Sequence, residues 1–308
     1  MKLKIDFPIP QHILRNEWPS FFMMGSCFAQ SQADRMQSLG FDVHTNPFGI
    51  LYNPISIEQI IQRAANFELY TESDFEARDS YFSWEHHGDF KYNNAAEATE
   101  ASNTILKQTK EYLQNADTII LTYGTSLVYT HGFTTVGNCH KAPNKEFGQR
   151  QLTFAEVKEA IQLTVDRLWY LNNNAEIIFT VSPIRHLRSG VTENNRSKAI
   201  LLSAIHEVLA ENKNTSYFPS YEIFVDELRD YRFAREDMTH PTEQAQDYIW
   251  QRFSDTYLSS ETQDIIRDVI KFNQFASHRP IHTPELHQQQ VIEKRTQLIT
   301  TYPFLHIP

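Results

Sequence analysis

A thiol and a hydroxyl stand side by side where a predicted strand meets a predicted helix. Residues 21–24 form an apolar run, and the residues that follow are Gly25, Ser26 and Cys27. A cysteine in the first turn of a helix lies at the positive end of the helix dipole, near backbone N–H groups that lack helical partners. We therefore expect a lowered pKa and a thiolate nucleophile at Cys27. Ser26 is the alternative nucleophile, and a structural cysteine buried in the turn is the alternative without chemistry.

An acid and an imidazole, Asp237 and His240, stand more than two hundred residues later in the chain. The carboxylate can fix the tautomer of the imidazole, so that the other ring nitrogen is available to take a proton. Spacing alone is weak support, because a chain with 13 histidines and 38 acidic residues produces such a spacing by chance. The pair becomes informative only in combination with the loops that follow the other predicted strands.

Three such loops follow the second, third and fourth predicted strands, at the edge where open α/β sheets place ligands. Their amide, hydroxyl and imidazole groups could contact a ligand, and their glycines let the backbone approach one closely. The candidate residues in these loops are Asn46, Gly49, Gly124, Thr125, Ser126, Ser182 and His186. The alternative interpretation is that the loops are ordinary turns and solvated connections.

Two further groups of residues lie outside these loops. Cys139 and His140 are adjacent, so their side chains point apart on an extended chain, and we expect them to line the pocket opposite Cys27 rather than pair with each other. The alternative is an incidental loop cysteine. Residues 79–92 are rich in aromatic side chains, and we interpret them as an inserted lid in which Trp84 and His87 cover an apolar acyl group or a sugar ring. The alternative is that these rings fill the core beneath the insertion.

The order of the predicted elements indicates an α/β fold with a parallel sheet. Amphipathic stretches alternate with short apolar runs at residues 21–24, 41–43, 118–122, 176–181 and 217–218. Residues 66–116 are longer than a plain crossover and contain the insertion. Asn53 is a predicted helix cap, Thr153 and Glu156 form a predicted capping box, and Pro241 is predicted to open a later helix. We predict one domain over residues 1–260 and a helical extension over residues 261–308, which packs on the sheet edge or mediates dimerisation.

Composition and charge exclude several classes of protein. The chain has 308 residues, of which 41% are hydrophobic and 13% aromatic, so it is not a disordered chain. Its 28 basic and 38 acidic residues supply no field that attracts nucleic acid or anionic lipid, and we expect a neutral or locally recognised substrate. No apolar run approaches the roughly 18 residues of a membrane-spanning helix. Two cysteines form no disulfide framework and residues 1–10 lack a secretory pattern, so we expect a cytoplasmic protein.

The residues that follow the first strand also carry a resemblance to a known family. Residues 25–29 spell G-S-C-F-A, and the chain resembles the GSCFA family, a relative of the SGNH (GDSL-type) hydrolases found in bacteria. Further blocks of that family are matched in order at residues 46–49, 123–125, 138–141, 182–186 and 237–240. The resemblance covers about residues 21–253. It implies a three-layer α/β/α, flavodoxin-like fold with a hydrolase-type site across the strand ends.

The resemblance also implies roles for individual residues. It aligns Cys27 with the nucleophilic serine of the SGNH hydrolases and places Ser26 at the position of their aspartate. Asp237 and His240 match the final D-x-x-H block of that family. Gly49 and Gly124 match the glycines of the second and third blocks, and Ser126 replaces an asparagine. The expected oxyanion hole is formed by Gly49, Gly124 and Ser126, together with the backbone N–H of Cys27 at the start of the helix.

From these roles we expect an acyl-ester hydrolase or acyltransferase that works through a covalent acyl-enzyme, without a cofactor. Its partner would be a small-molecule or glycan acyl ester, and the oligomeric state stays open. One alternative is a non-catalytic binding protein, which the replacement of asparagine by Ser126 keeps open. The other is a metal-dependent phosphoesterase, although the sequence contains no H-E-x-x-H or C-x-x-C ligand pair. The histidines that suggest it are His86, His87, His140, His186 and His240.

Overall fold

Strands and helices alternate along the chain in the computed structural model, which describes residue 5, residues 7–278 and residues 284–307. The first half contains β1 (Phe21–Gly25), α1 (Cys27–Ser38), β2 (Val43–Thr45), α2 (Pro54–Asn66), β3 (Glu76–Ala77), β4 (Tyr81–Phe82), α3 (Ala95–Asn115) and β5 (Thr118–Tyr123). The second half contains β6 (Leu127–His131), β7 (Thr134–Val136), β8 (Phe147–Gln151), α4 (Phe154–Leu171), β9 (Glu176–Val181), α5 (Val191–Glu211), β10 (Thr215–Phe218), α6 (Ser220–Glu222), α7 (Glu243–Tyr257), α8 (Ser260–Ser277) and α9 (Pro284–Thr301).

Five of these strands form a parallel sheet in the order β10-β9-β5-β1-β2. Counted along the chain this is the flavodoxin-like order 2-1-3-4-5, in which the direction of winding reverses between the first and third strands. Those strands are β1 and β5. Ligands of such sheets bind in the crevice outside the carboxyl ends of the strands at this reversal. The predicted α/β fold class is confirmed.

Helices cover both faces of the sheet, because alternate side chains of each strand point to opposite sides. Phe22 and Met24 of β1 pack in one core cluster, to which α2, α3, α4 and α5 contribute buried apolar residues. Phe21 and Met23 pack in the other cluster with residues of α1, α7 and α8. The three layers are therefore one sheet between two groups of helices.

The helix starts follow from their caps. The Asn53 side chain accepts the N–H of Ser56 at the start of α2, and Thr153 with Glu156 forms the predicted capping box of α4. The predicted opening at Pro241 is wrong by two residues, because α7 begins at Glu243 and the cap is the hydroxyl of Thr242. Pro241 instead lies in an antiparallel bridge with residue 234, where its backbone is extended.

Two differences from the predicted elements concern strands. The second strand runs over Val43–Thr45 rather than residues 41–43, because the N–H of Phe41 still bonds to the carbonyl of Met36 in the turn after α1. A second, antiparallel sheet of β7, β6 and β8 lies between β5 and α4, where we predicted only a loop. The inserted hairpin is β3 with β4. The rest of the segment down to β5 is mostly the crossover helix α3.

The C-terminal extension packs at the sheet edge, which is one of its two predicted roles. Leu305 and Ile307 join Val269 of α8 in a small apolar cluster, and the N–H of residue 306 bonds to the carbonyl of Gly40 at 2.8 Å. Gly40 immediately precedes the stretch that leads into the edge strand β2. Residues 279–283 and 308 of the predicted extension lie outside the described residues. Within the described residues, no helix combines the length and the apolar character of a membrane span.

Candidate active site

The ends of two neighbouring strands, β1 and β5, meet at one edge of the sheet and position the predicted nucleophile. Cys27 begins α1 directly after β1, and the neighbouring strand β5 lies close enough that a Cβ on Gly25 would be 2.1 Å from the carbonyl oxygen of Thr122. Gly25 has a φ of +143°, which side chains rarely tolerate. Only glycine therefore permits the sharp turn that aims Cys27 at the crevice.

His240 faces Cys27 across this crevice, as the sequence predicted. The distance from Sγ of Cys27 to Nε2 of His240 is 3.8 Å, a long contact of the kind that tightens when substrate binds. The other ring nitrogen, Nδ1, lies 2.6 Å from Oδ2 of Asp237. The side chains of His240 and Asp237 are 41% and 48% exposed, so a ligand can reach the pair from solvent. Sulfur, imidazole and carboxylate thus form one continuous chain of contacts.

The carboxylate that orients His240 is itself held by its own loop. Oδ1 of Asp237 accepts the backbone N–H groups of Thr239 and His240 at 2.8 and 2.9 Å. These bonds, with the imidazole, hold the pKa of the Asp237 carboxyl far below its ordinary value. The intervening Met238 has a φ of +58°, which the tight loop requires. Asp237 therefore stays ionised and fixes the tautomer of His240.

The ionisation of Cys27 differs from the sequence prediction. Burial raises the pKa of the Cys27 thiol, whereas we expected the helix N-terminus to lower it. The backbone N–H groups of Cys27 and Phe28 and the charges of Lys198 and Arg235 oppose the effect of burial without overcoming it. The thiol is therefore protonated at rest, and its reaction depends on a base that removes the proton. Ser26, the alternative nucleophile, is 1% exposed and its hydroxyl has no hydrogen-bond partner among the described residues.

Lys198 is a site residue that sequence reasoning missed. It is 1% exposed and its Nζ donates to the carbonyl of Ser182 at 2.7 Å, directly after β9. Burial lowers the pKa of Lys198 to about 7, and the charge of Cys27 acts against that change. The sequence feature that could have indicated a buried lysine is its position on the apolar face of α5, between Ser197 and Leu201, which are also buried. A buried amine therefore lies beneath the candidate site.

Among the groups predicted for the oxyanion hole, those of Gly49, Gly124 and Ser126 are not free to bind an oxyanion. The N–H of Gly49 donates to Asn46 at 2.7 Å, and the N–H of Gly124 donates to Tyr52 at 2.7 Å. The hydroxyl of Ser126 is buried and donates to the carbonyl of Ser197 at 3.0 Å. We therefore correct the predicted oxyanion hole. The groups that lie beside the sulfur are the first N–H groups of α1, at Cys27 and Phe28, which receive no side-chain cap from Ser26.

Three predicted substrate-binding residues instead stabilise the loops that surround the site. Asn46 accepts the N–H of Gly25 at 2.8 Å and so fixes the turn before Cys27. The hydroxyl of Thr125 is within 2.9 Å of Ser197 and accepts the N–H of Leu127. The Ser182 hydroxyl accepts the N–H of Ile184 within its own turn. Their side chains are buried in the scaffold, and the predicted contacts to substrate are corrected accordingly.

His186 and Cys139 stay candidates for contact with substrate. Nε2 of His186 is buried and without a hydrogen-bond partner among the described residues, and it would lie 3.0 Å from a Cβ on Gly124. Burial and the charges of Lys198 and His240 lower the pKa of His186 to about 4, so the ring is neutral. Cys139 is half-buried, and burial raises the pKa of its thiol. Both cysteines are free thiols.

The aromatic insertion packs as a core of its own. The ring of Trp84 stacks on His131 of β6 at 4.8 Å and meets Phe147 edge-on. His140 stacks on Phe82, and its Nε2 lies 3.1 Å from the carbonyl oxygen of His86. These contacts join the insertion to the three-stranded sheet. Trp84 and His140 therefore contribute to packing, and their predicted roles as lid and pocket wall stay predictions.

His87 ties the insertion to the loop after β2. A Cβ on Gly49, whose φ is +79°, would be 2.3 Å from Cβ of His87, so Gly49 is needed for close packing rather than for a ligand. The imidazole of His87 lies 3.1 Å from Asp89. The predicted role of His87 in the lid stays a prediction. Among the described residues, no group of three His, Cys, Asp or Glu side chains could hold a metal ion.

The chain is similar to one described family and to a solved structure. Residues 20–253 match the sequence model of the GSCFA family. No curated protein matches the chain. A structure described as an acetyl xylan esterase (Est2A) from the rumen bacterium Butyrivibrio proteoclasticus is 11% identical with a TM-score of 0.39, over 88% of this chain and 66% of that chain. The chain thus spans just under two thirds of the length of that protein.

Proposed function

Because the chain belongs to the GSCFA family, we propose that it is an acyl-ester hydrolase or acyltransferase that forms a covalent intermediate on Cys27. The observation that carries the proposal is the chain of contacts from the sulfur of Cys27 through His240 to Asp237. A nucleophile, a base and a group that orients the base form the arrangement that activates sulfur or oxygen for acyl transfer. The raised pKa of the Cys27 thiol makes such a base necessary.

In the first half of the proposed reaction, Sγ of Cys27 attacks the ester carbonyl carbon while its proton moves to Nε2 of His240. The carbonyl electron pair moves onto oxygen, and the N–H groups of Cys27 and Phe28 are the donors that we assign to this oxyanion. One such donor is worth about 3 kcal/mol in other enzymes. When the intermediate collapses, the ester C–O bond breaks and the leaving alcohol takes the proton from His240. The product is a thioester on Cys27.

In the second half, His240 takes a proton from the acceptor, whose oxygen attacks the thioester carbonyl. The C–S bond breaks, and the proton returns from Nε2 to the sulfur. Water as the acceptor gives an esterase, whereas a sugar hydroxyl gives an acyltransferase. Asp237 remains ionised throughout and balances the positive charge that His240 carries between the steps.

The test is to trap and locate the acyl group. Purified protein is mixed with 4-nitrophenyl esters of short and medium acyl chains, quenched in acid, and analysed by intact mass and peptide mapping. We expect one acyl group per chain on Cys27, no adduct in Cys27→Ala, and strongly slowed formation in His240→Ala. Cys139→Ala is the matched control for loss of a thiol and should still form the adduct on Cys27. An adduct on Cys139 or Ser26, or a His240→Ala variant with the wild-type rate, would refute the proposal.

A non-catalytic binding protein is the second candidate. It is favoured by the finding that Gly49, Gly124 and Ser126 already use their donors within the protein. The same esters test it when turnover and binding are measured together. Heat released by ester binding, with neither adduct nor 4-nitrophenol formed across the panel, would select this candidate over the enzyme.

A further inference from the structure

Four arginines have no carboxylate partner among the described residues. They are Arg185, Arg188, Arg229 and Arg235. Ten other arginines in the described ranges each lie within 4.0 Å of an Asp or Glu oxygen. In a chain with ten more acidic than basic residues, arginines without a carboxylate partner are unexpected. Arg185 and Arg188 lie on the loop after β9, and Arg229 and Arg235 lie between α6 and α7.

Two of these arginines are attached to the loop that carries His240. The N–H of Arg185, on the loop after β9, donates to the carbonyl of Thr239 at 3.4 Å. The N–H of Arg235 donates to the carbonyl of His240 at 2.8 Å, and its Nε donates to the carbonyl of Pro241 at 3.2 Å. The charge of Arg235 also acts on Cys27. Both arginines are therefore hydrogen-bonded to the segment that carries His240.

Arg185 and Arg229 line a common groove beside this loop. Its volume is about 390 Å³, within the range of small-ligand sites, and Met238 from the Asp237–His240 turn forms part of its wall. Tyr221, Tyr231 and Asn195 add hydroxyl and amide groups to the lining. The groove thus begins next to the catalytic loop and has room for the part of a substrate that extends away from the ester.

The balance of charge in the groove favours an anion. Asp226 and Asp230 also line it, but Asp230 lies 3.3 Å from Arg232 and is already compensated. Two arginines then face one uncompensated carboxylate, that of Asp226. A guanidinium binds carboxylate and phosphate in a bidentate geometry, which a neutral sugar or alkyl chain cannot use.

We propose that this groove binds a carboxylate or phosphate group carried by the ester substrate, and that Arg185 and Arg229 are the residues that hold it. The proposal rests on the function proposed above and names its substrate class. From the net negative charge of the chain we expected a substrate that is either neutral or recognised locally. The groove favours the second of these, with two arginines that bind an anionic group locally.

The test compares two esters of similar length, 4-nitrophenyl hemisuccinate and 4-nitrophenyl butyrate, of which only the first carries a carboxylate. We expect kcat/KM to favour the hemisuccinate by about tenfold or more, as a charge-assisted contact would give, and the preference to fall with added salt. Arg185→Gln and Arg229→Gln should each lose that preference, mainly through a rise in KM for the hemisuccinate. Arg196→Gln, whose arginine is exposed and paired with Glu193, is the matched control. Circular dichroism checks that each variant is folded. Because Arg229 is exposed, Arg229→Gln should fold and can test the proposal even if Arg185→Gln does not fold.

Calorimetry separates this proposal from the proposed function. Monomethyl succinate and methyl phosphate should bind the wild type and bind Arg229→Gln more weakly. Dimethyl succinate should bind weakly to both proteins. The anion that binds the wild type more tightly shows whether the groove takes a carboxylate or a phosphate. Anion binding without turnover of any ester would refute the enzyme and leave the groove assignment in place. Equal turnover of the two 4-nitrophenyl esters, with neither arginine variant altering it, would refute the groove and leave the enzyme in place.

Discussion

Replacing Lys198 with methionine should make the protein more stable at neutral pH and less stable at high pH. The amine is fully buried, donates to the carbonyl of Ser182 at 2.7 Å and has the ring of Tyr221 at 5.5 Å. No carboxylate lies within 4.0 Å of it in the described part of the chain. Burial is the main reason that its pKa falls from 10.5 to about 7, while the charges of Cys27 and Glu222 act in the opposite direction.

The sign and size follow from proton linkage. Between pH 7 and 10.5 the unfolded chain holds the proton of Lys198 more tightly than the folded one, so stability falls as the pH falls through this window and is constant below it. At about 1.4 kcal/mol per tenfold change, the burial of this lysine lowers the free energy of unfolding by about 4 kcal/mol at pH 7. Methionine removes that effect but leaves the Ser182 carbonyl without its donor, which costs about 2 kcal/mol. The net expectation is about 2 kcal/mol of stabilisation at pH 7 and about 2 kcal/mol of destabilisation at pH 10.5.

Urea unfolding followed by far-UV circular dichroism at pH 7 and pH 10.5 measures this change of sign. Lys158→Met is the matched control, because Lys158 is a partly exposed lysine paired with Glu211, and its loss should change stability by less than about 1 kcal/mol at either pH. If Lys198→Met is destabilised equally at both pH values, the amine carries no burial penalty and the reasoning is refuted. Ester turnover should be slower in Lys198→Met than in the wild type, since the charge that lowers the pKa of the Cys27 thiol is gone.

Three more predictions concern the site and the insertion. Because burial raises the pKa of the Cys27 thiol from 9.0, iodoacetamide labelling of this residue should have its pH midpoint above 9.0, and a midpoint near neutrality by peptide mass spectrometry would contradict this. Asp237→Asn should keep the fold and slow acylation by up to ~10⁴-fold, since the amide no longer fixes the tautomer of His240; an unchanged rate would remove Asp237 from the mechanism. Trp84→Ala should lower the free energy of unfolding by about 3 kcal/mol with no change in KM for any ester, whereas a selective rise in KM would support the lid interpretation.

Much of the scaffold could be predicted because its signals are local. The strand Glu176–Val181 and the capping box of Thr153 with Glu156 were predicted at the residues where the structure has them. The second strand was predicted two residues early, since an apolar phenylalanine continues the turn after α1. The sheet of β6, β7 and β8 was missed because its strands are short, polar and half-exposed, so they lack the apolar runs that mark a buried strand.

The sequence by itself determined that Cys27 lies at the carboxyl end of a strand, because chain order and alternation place it after β1. The resemblance pairs Asp237 with His240. Tertiary structure alone decided what those groups can do. Whether Gly49 or Ser126 has a free donor depends on partners brought in from other loops, and so do the raised pKa of Cys27 and the buried amine of Lys198. Hydrogen-bond satisfaction and desolvation are properties of three-dimensional surroundings, which residue type and spacing do not contain.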